Sequence, residues 1–225
     1  MTMMKTSLAS LLLGLCASAG ATVLNFDGAA GCASDWFGAG PGADCDPGSG
    51  GPVLQGFGDQ AGLHIEYRDL STPDGWSLSW WKDGYNDLPG AVYAGSEDAG
   101  SHASITLQAL PGYQVKLNGF ALGAWQNSSL GTQVHVYEIG GAQTLLQDGV
   151  TAGDANSNTA TLLSFAVAAS SHGWVIEWQD SAYSVGLGRL DFEVSAAAVP
   201  EPQSWLLLLA GLAGVGALAR QRRPR

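Results

Sequence analysis

The residues of this chain best suited to chemistry are aromatic and crowd one stretch. Trp76, Trp80, Trp81, Tyr85 and Tyr93 follow one another closely, interspersed with Asp, Asn and Lys residues. Flat rings beside such polar groups are typical of sugar-binding sites, because the apolar face of a sugar packs on a ring while polar groups bond its hydroxyls. The stretch therefore predicts a carbohydrate contact surface.

Trp80 and Trp81 are adjacent in a predicted strand, so their rings point to opposite faces and one of them is expected outside the core. The alternative is core packing, which we expect for Trp174 and Trp178 because they share a face with Ile176. The candidate sugar contacts are Trp80, Trp81, Tyr85 and, at the start of a later loop, Trp125.

The sequence contains no nucleophile elbow, H-E-x-x-H, P-loop, dinucleotide fingerprint or zinc spacing. His102 and His135 fall on the polar faces of predicted strands, where we expect them to be solvated without partners. A glycosidase needs only two carboxylates that meet in space, and no spacing here favours a pair. We therefore predict a non-catalytic protein with no cofactor, and a secreted polysaccharide-active enzyme is the alternative.

Metal binding has one candidate segment. Residues 154–158 alternate oxygen-bearing side chains as a calcium loop does at its start, but the glycine and the closing glutamate are missing. A turn built from Asp and Asn side chains is the favoured interpretation. No metal ligand is assigned, and a structural calcium ion stays an open alternative.

Residues 28–62 are rich in Gly and Pro and lack a sustained apolar period, which predicts a long loop. The loop contains Cys32 and Cys45. In an exported chain these two cysteines are predicted to form a disulfide that stabilises the fold by ~3 kcal/mol, with two free thiols as the alternative.

The N-terminus has the pattern of a cleaved secretory signal over residues 1–21. Lys5 precedes an apolar run from Leu8 to Leu15, and small residues then supply a cleavage site ending at Ala19 or Ala21. The apolar run is too short for a spanning helix, which needs ~20 residues. The sequence therefore predicts export.

The C-terminus has the pattern of a stop-transfer segment. Residues 205–219 are apolar and predict a transmembrane helix, with a buried C-terminal helix as the alternative. The helix is followed by basic residues that charge bias would retain in the cytoplasm, namely Arg220, Arg222, Arg223 and Arg225. The preceding residues are then placed on the far side of the inner membrane.

Immediately before that segment stand Pro200, Glu201 and Pro202. Pro-Glu-Pro, a short apolar helix and a terminal arginine cluster resemble the PEP-CTERM sorting signal of Gram-negative bacteria that make exopolysaccharide. The resemblance implies that an exosortase reads Pro200, Glu201 and Pro202 together with the arginines. It also implies a transient inner-membrane intermediate and delivery to the cell surface or extracellular matrix.

Charge separates the termini from the middle of the chain. Between Asp27 and Glu201 there are twenty acidic and four basic residues, a net charge of −16. Such a surface repels phosphate backbones and anionic membranes, so nucleic acid is excluded as a partner. Only 13 % of all residues are charged, a composition that suits a secreted β-protein.

Residues 22–199 are predicted to form one all-β domain. Apolar and polar residues alternate with period two in segments separated by Gly, Pro and Asn turns, as in Ala103–Leu107, Tyr113–Leu117, Val134–Val136, Leu163–Val167, Trp174–Trp178 and Leu190–Val194. Half-buried strands with regular turns predict two antiparallel sheets packed face to face, in a jelly-roll-like β-sandwich.

Three stretches, residues 80–94, 105–125 and 185–194, are similar to pieces of galactose-binding-like sandwiches carried by PEP-CTERM proteins. The resemblance implies a binding or structural module. The predicted function is a surface or matrix protein associated with exopolysaccharide or a cell-surface glycan. A purely structural matrix protein without a defined ligand is the alternative.

Overall fold

The computed structural model describes residues 20–27, 33, 35–39, 50–141, 143–197 and 211. The described residues form twelve strands: β1 Gly20–Asn25, β2 Gly51–Pro52, β3 Leu63–Asp69, β4 Ser79–Trp81, β5 Ala91–Tyr93, β6 His102–Ala109, β7 Tyr113–Ala124, β8 Leu130–Glu138, β9 Thr144–Ala152, β10 Thr161–Ser164, β11 Gly173–Gln179 and β12 Val185–Ala196.

The strands form two antiparallel sheets. One sheet has the order β10-β7-β12-β5-β4-β2, with β1 also paired to β12. The other has the order β3-β6-β11-β8-β9. Both sheets contribute to one hydrophobic core, so the predicted all-β class with two antiparallel sheets is confirmed. The finer jelly-roll and galactose-binding-like assignments stay predictions.

The period-two segments pack inward as their alternation predicts. Ala103, Ile105 and Leu107 of β6 are fully buried, and they lie opposite Trp178, Ile176 and Trp174 of β11. Each fully buried large apolar side chain contributes about 1.5–3 kcal/mol to folding. Because every described residue of this core lies between Leu24 and Val194, we treat residues 20–197 as a domain that folds on its own.

Strand β12 runs the length of the domain and defines its two ends. Its first residue, Val185, lies opposite Ala124, and its last, Ala196, lies opposite Tyr113. Twelve extended residues span about 40 Å. We call the end near Val185 the loop end, because the long loops 70–78, 94–101 and 180–184 lie there, and the end near Ala196 the tail end.

Several predicted features lie outside the described residues. These are Cys32, Cys45, most of the 1–21 signal, the Pro200-Glu201-Pro202 motif and, apart from Gly211, the 205–219 span with its arginines. Within the described part of the chain, no helix is long and apolar enough to cross a membrane. Gly20 and Ala21, at the end of the predicted signal, belong to β1 and pair with Val194 and Glu193.

Candidate carbohydrate-binding groove

Five aromatic side chains meet at the loop end and line a cavity of about 100 Å³. We call this set the aromatic cleft; it consists of Trp81, Tyr85, Tyr93, Trp125 and Tyr183. The rings form a continuous series of contacts, with centroids 5.6 Å apart for Trp81–Trp125, 5.3 Å for Tyr85–Trp125, 6.2 Å for Tyr85–Tyr93 and 5.8 Å for Tyr93–Tyr183. Such a cluster offers ring faces and edges to a ligand.

Strand ends and turns from distant parts of the sequence bring these rings together. Trp81 and Tyr93 lie on the same face of the antiparallel β4–β5 pair, where Trp81 is opposite Ala91 and Tyr93 is opposite Ser79. Trp125 directly follows β7, and its backbone bridges to Tyr85. Tyr183 lies in the turn that leads into β12.

Tyr85 forms the buried floor of the cleft. Its hydroxyl donates a hydrogen bond to the Tyr183 carbonyl oxygen at 2.9 Å. Burial, assisted by Tyr93, Tyr183 and Asp98, raises the pKa of Tyr85 well above its ordinary value. Burial likewise raises the pKa of Tyr93. Both hydroxyls therefore stay protonated at neutral pH.

Gly84 allows the Trp125 ring to pack directly against the chain. Its φ is +84°, and a Cβ there would stand 2.6 Å from the Trp125 ring. Only glycine adopts this conformation without strain and leaves that space free. A side chain at position 84 would displace the ring.

Asn86 fixes the loop that carries Trp125. Its side-chain oxygen accepts a bond from the Ala124 amide at 2.7 Å, and its side-chain nitrogen donates to the Ser128 carbonyl at 3.2 Å. Asn86 is buried, so these bonds are shielded from water. The residue positions the cleft without lining it.

Trp80 is not part of the cleft, and its prediction as a sugar contact is wrong. The side chain is only 2 % exposed, and its indole N–H donates to the Phe26 carbonyl oxygen at 2.6 Å. Trp81, on the opposite face, is the partly exposed member of the pair. The pattern thus predicted the split between neighbours but could not say which ring faces outward.

A second cavity of about 430 Å³ adjoins the cleft, and we call it the polar groove. Tyr93 and Tyr183 line both cavities. The groove is otherwise formed by residues 69–79 and 95–101, which are mostly small or hydroxyl-bearing, and by the Trp36 ring. Its volume lies within the range of known ligand pockets, about 300–1,000 Å³.

Two carboxylates hold the groove's loops in place. Asp69 is buried and accepts bonds from the Ser71 amide at 2.8 Å and the Gly95 amide at 2.9 Å. Asp98 accepts a bond from the Ser184 amide at 2.9 Å. These acids tie three loops together, so the groove is largely preformed.

The described lining residues of both cavities include two acids, Asp69 and Glu97, and no lysine, arginine or histidine. The local potential is therefore negative, in keeping with the net charge of the chain between its terminal signals.

A Ser, a Glu and a His also meet near the tail end. The Ser170 hydroxyl bonds to the Glu138 carboxylate, and His172 Nδ1 lies 4.0 Å from the same carboxylate oxygen. The hydroxyl thus contacts the carboxylate and not the imidazole, unlike a catalytic triad. Ser170 also accepts bonds from the His172 and Gly173 amides and so stabilises the turn.

His102 is less solvated than its position on a polar strand face predicts. Its Nε2 is buried without a hydrogen-bond partner among the described residues and lies 3.6 Å from Glu177 Oε2. The Tyr137 hydroxyl donates to the other Glu177 oxygen at 2.9 Å. The contact with His102 and, to a smaller extent, the hydrogen bond from Tyr137 hold the pKa of Glu177 below its ordinary value, although burial acts in the opposite direction.

The segment with calcium-like spacing forms a hairpin turn. The Asp154 carboxylate accepts bonds from the Asn156 amide at 2.8 Å and the Ser157 hydroxyl at 2.9 Å. These bonds lower the Asp154 pKa. In the part of the chain that the structure describes, no group of three or more His, Cys, Asp or Glu residues is arranged to hold a metal ion.

Comparison with known proteins identifies the end of the chain. Residues 198–223 match the PEP-CTERM protein-sorting motif, which directly follows the described domain. This motif marks an exported bacterial protein that an exosortase sorts to the cell surface or beyond. No curated protein and no solved structure matches the chain.

Proposed function

We propose that this exported protein is a non-catalytic surface or matrix module that binds polysaccharide in the aromatic cleft. The observation that carries the proposal is the distribution of tryptophans. The four described tryptophans outside the core, Trp36, Trp76, Trp81 and Trp125, all line the cleft or the adjoining groove. Trp36 is exposed and the other three are partly exposed, and the collection of such rings at one place favours a binding surface over incidental surface apolarity.

The indole N–H groups of these four residues support the same function. None of them has a hydrogen-bond partner among the described residues, whereas the rings themselves contact one another. A tryptophan at an interface usually presents its N–H to a partner. A sugar hydroxyl that accepts this bond while its ring packs on the indole would satisfy both parts of the side chain.

The relation of the cleft to the tail suits an attached binding module. The sorting motif begins two residues after β12 ends, and the cleft lies at the opposite end of that strand. In the proposed inner-membrane intermediate, anchored by residues 205–219, the cleft faces away from the membrane. The partners are then an exosortase at Pro200, Glu201 and Pro202 and a glycan at the loop end.

The test uses soluble residues 20–197 and exopolysaccharide from the producing organism, with retention measured by affinity electrophoresis in a gel that contains the polymer. We expect retention of the native domain and its loss in Trp81→Ala and Trp125→Ala. The matched control is Leu162→Ala, which removes an apolar side chain that is 58 % exposed on β10, away from the cleft.

A parallel gel contains a calcium chelator, because calcium is an open alternative. Loss of retention on chelation would point to cation bridging in place of ring contacts. Absence of retention in either gel would favour a purely structural matrix protein. Hydrolysis of the polymer would favour the enzyme alternative.

A further inference from the structure

A pair of stacked tryptophans, Trp36 and Trp76, lines the polar groove but not the cleft. The Trp36 and Trp76 rings are nearly parallel, with centroids 5.3 Å apart and an interplanar angle of 24°. Trp36 is 52 % exposed. Resting on the proposed function, we propose that this pair is a second contact platform, so that the site binds a glycan chain longer than a disaccharide and free of carboxylate and sulfate groups.

The backbone holds both rings of the platform in place. The Ser77 amide donates to the Trp36 carbonyl at 2.7 Å, and the Asp69 amide donates to the Trp76 carbonyl at 2.7 Å. Asp35 accepts bonds from the Phe37 and Ala39 amides, each at 3.0 Å. The backbone of each tryptophan is therefore held in place, which lowers the entropy cost of ligand contact.

The platform and the cleft belong to one continuous depression. The 430 Å³ groove is lined by Trp36 and Trp76 and also by Tyr93 and Tyr183, and these two tyrosines also line the cleft. A compact ligand in the cleft would leave the platform uncovered. An extended chain can pack on both sets of rings and run over the hydroxyl-bearing residues between them.

The charge of the lining selects the class of glycan. Glu97 is exposed at the groove, and Asp69 is part of its wall. The described lining offers no cationic side chain with which a uronate or sulfate group could pair. Repulsion between like charges therefore disfavours acidic polysaccharides, and hydroxyl or acetamido groups suit the available donors and acceptors.

Binding to residues 20–197 is measured by calorimetry with neutral oligosaccharides of increasing length, from the disaccharide upward. A uronate series of matched lengths and a proline-rich peptide serve as further probes. The variants are Trp76→Ala and Trp36→Ala. The matched control is Phe37→Ala, which removes a ring that is 55 % exposed beside Trp36 but outside the groove lining.

We expect affinity for the neutral series to rise with length in the native domain. Trp76→Ala and Trp36→Ala should each lower the affinity for the longer oligosaccharides about tenfold, which is typical for the loss of a contact residue. The affinity for the disaccharide should be unchanged. Phe37→Ala should bind as the native domain does. The uronate series should bind more weakly than the neutral one at every length. Circular dichroism confirms that each variant is folded.

The outcomes separate this inference from the function on which it rests. If neutral glycans bind through Trp81 and Trp125 but the platform variants behave like Phe37→Ala at every length, the platform is wrong. Equal or tighter uronate binding would overturn the charge selection. If no glycan series binds, or only the proline-rich peptide does, the proposed function itself fails.

Discussion

The core and the loop end use the same residue, tryptophan, in opposite ways. In the core, Trp80, Trp174 and Trp178 each donate their indole N–H to a backbone carbonyl, at 2.6 to 2.9 Å. At the loop end, the N–H groups of Trp36, Trp76, Trp81 and Trp125 have no such partner among the described residues. A buried polar group requires a hydrogen bond within the protein, whereas a partly exposed one can bond to water or to a ligand.

The comparison teaches that, among the described tryptophans, a hydrogen-bonded indole N–H marks the structural residues and an indole N–H without such a bond marks the candidate binding residues. Tyr85 shows that the rule does not extend to the tyrosines, because it is buried, its hydroxyl bonds to the Tyr183 carbonyl, and it still lines the cleft. We therefore expect substitutions of core tryptophans to change stability, and substitutions at the loop end to change glycan binding.

The largest expected effect is that of Trp178→Ala. Trp178 is fully buried, and its indole bonds to the carbonyl of Val185 at the start of β12. Removal of the ring leaves a cavity and should lower the free energy of unfolding by about 3–5 kcal/mol. Urea denaturation measures the change, with Leu162→Ala as a surface control. A loss below about 1 kcal/mol would contradict the assignment of Trp178 to the core.

The adjacent pair Trp80 and Trp81 allows a sharper test. Trp80→Phe keeps a ring in the core but leaves the Phe26 carbonyl without its donor, which should cost about 1–3 kcal/mol of stability. Trp81→Phe should change stability by less than about 0.5 kcal/mol and weaken glycan retention. Urea denaturation measures the stability of both variants, and affinity electrophoresis measures their glycan retention. If Trp81→Phe lost stability and Trp80→Phe lost retention, Trp81 would be the core residue and Trp80 the glycan contact.

Gly84→Ala should disturb the cleft through Trp125. The new Cβ would stand 2.6 Å from the ring and displace it, so we expect weaker glycan retention in addition to about 1–2 kcal/mol of backbone strain. Gly112→Ala is the matched control, since Gly112 has the same φ of +84° and open space around its Cβ position. Equal retention by the two variants would show that the Trp125 ring position is unimportant for binding.

The smallest expected effect lies on the outer face of the five-stranded sheet. Because contacts with His102 and Tyr137 hold the pKa of Glu177 below its ordinary 4.5, the folded state gains stability above that pH and loses it as the pH falls through the lowered value. Solvent screening limits the contribution to less than about 1 kcal/mol.

Glu177→Gln should therefore flatten the decline in melting temperature below about pH 4.5. Tyr137→Phe, which removes one of the two contacts, should flatten it in part. Glycan retention should be unchanged in both variants. An unaltered pH profile in Glu177→Gln would show that this cluster has no part in acid stability.

Strands with one buried face were predictable from the sequence. The alternation in β6 and β11 follows from a core on one side and solvent on the other, so Ile105 and Ile176 are found where the pattern puts them. Strand β9 was missed because it is an edge strand whose residues are mostly exposed or half-buried on both faces, which leaves no period to detect. Strands β2, β4 and β5 are too short to show a period-two alternation.

The candidate site was predictable only in part. Trp81, Tyr85 and Trp125 were named, but the convergence of Tyr183 depends on pairing between distant strands, which periodicity cannot reveal. Trp36 lies within the Gly- and Pro-rich segment 28–62 and has no pattern around it. Its role emerges only from the stack with Trp76 and the hydrogen bond to Ser77.

Strand β12 joins the loop end to the sorting tail and has neighbours on both sides, β7 along its whole length and β1 over residues 189–194. A pull between a held glycan and an attached tail would act along this strand. The hydrogen bonds between β12 and its neighbours are perpendicular to this direction. They would therefore be loaded in shear, all at the same time, and would not break one after another. In the function that we propose, the domain would therefore resist tension best along the line from the bound glycan to the tail.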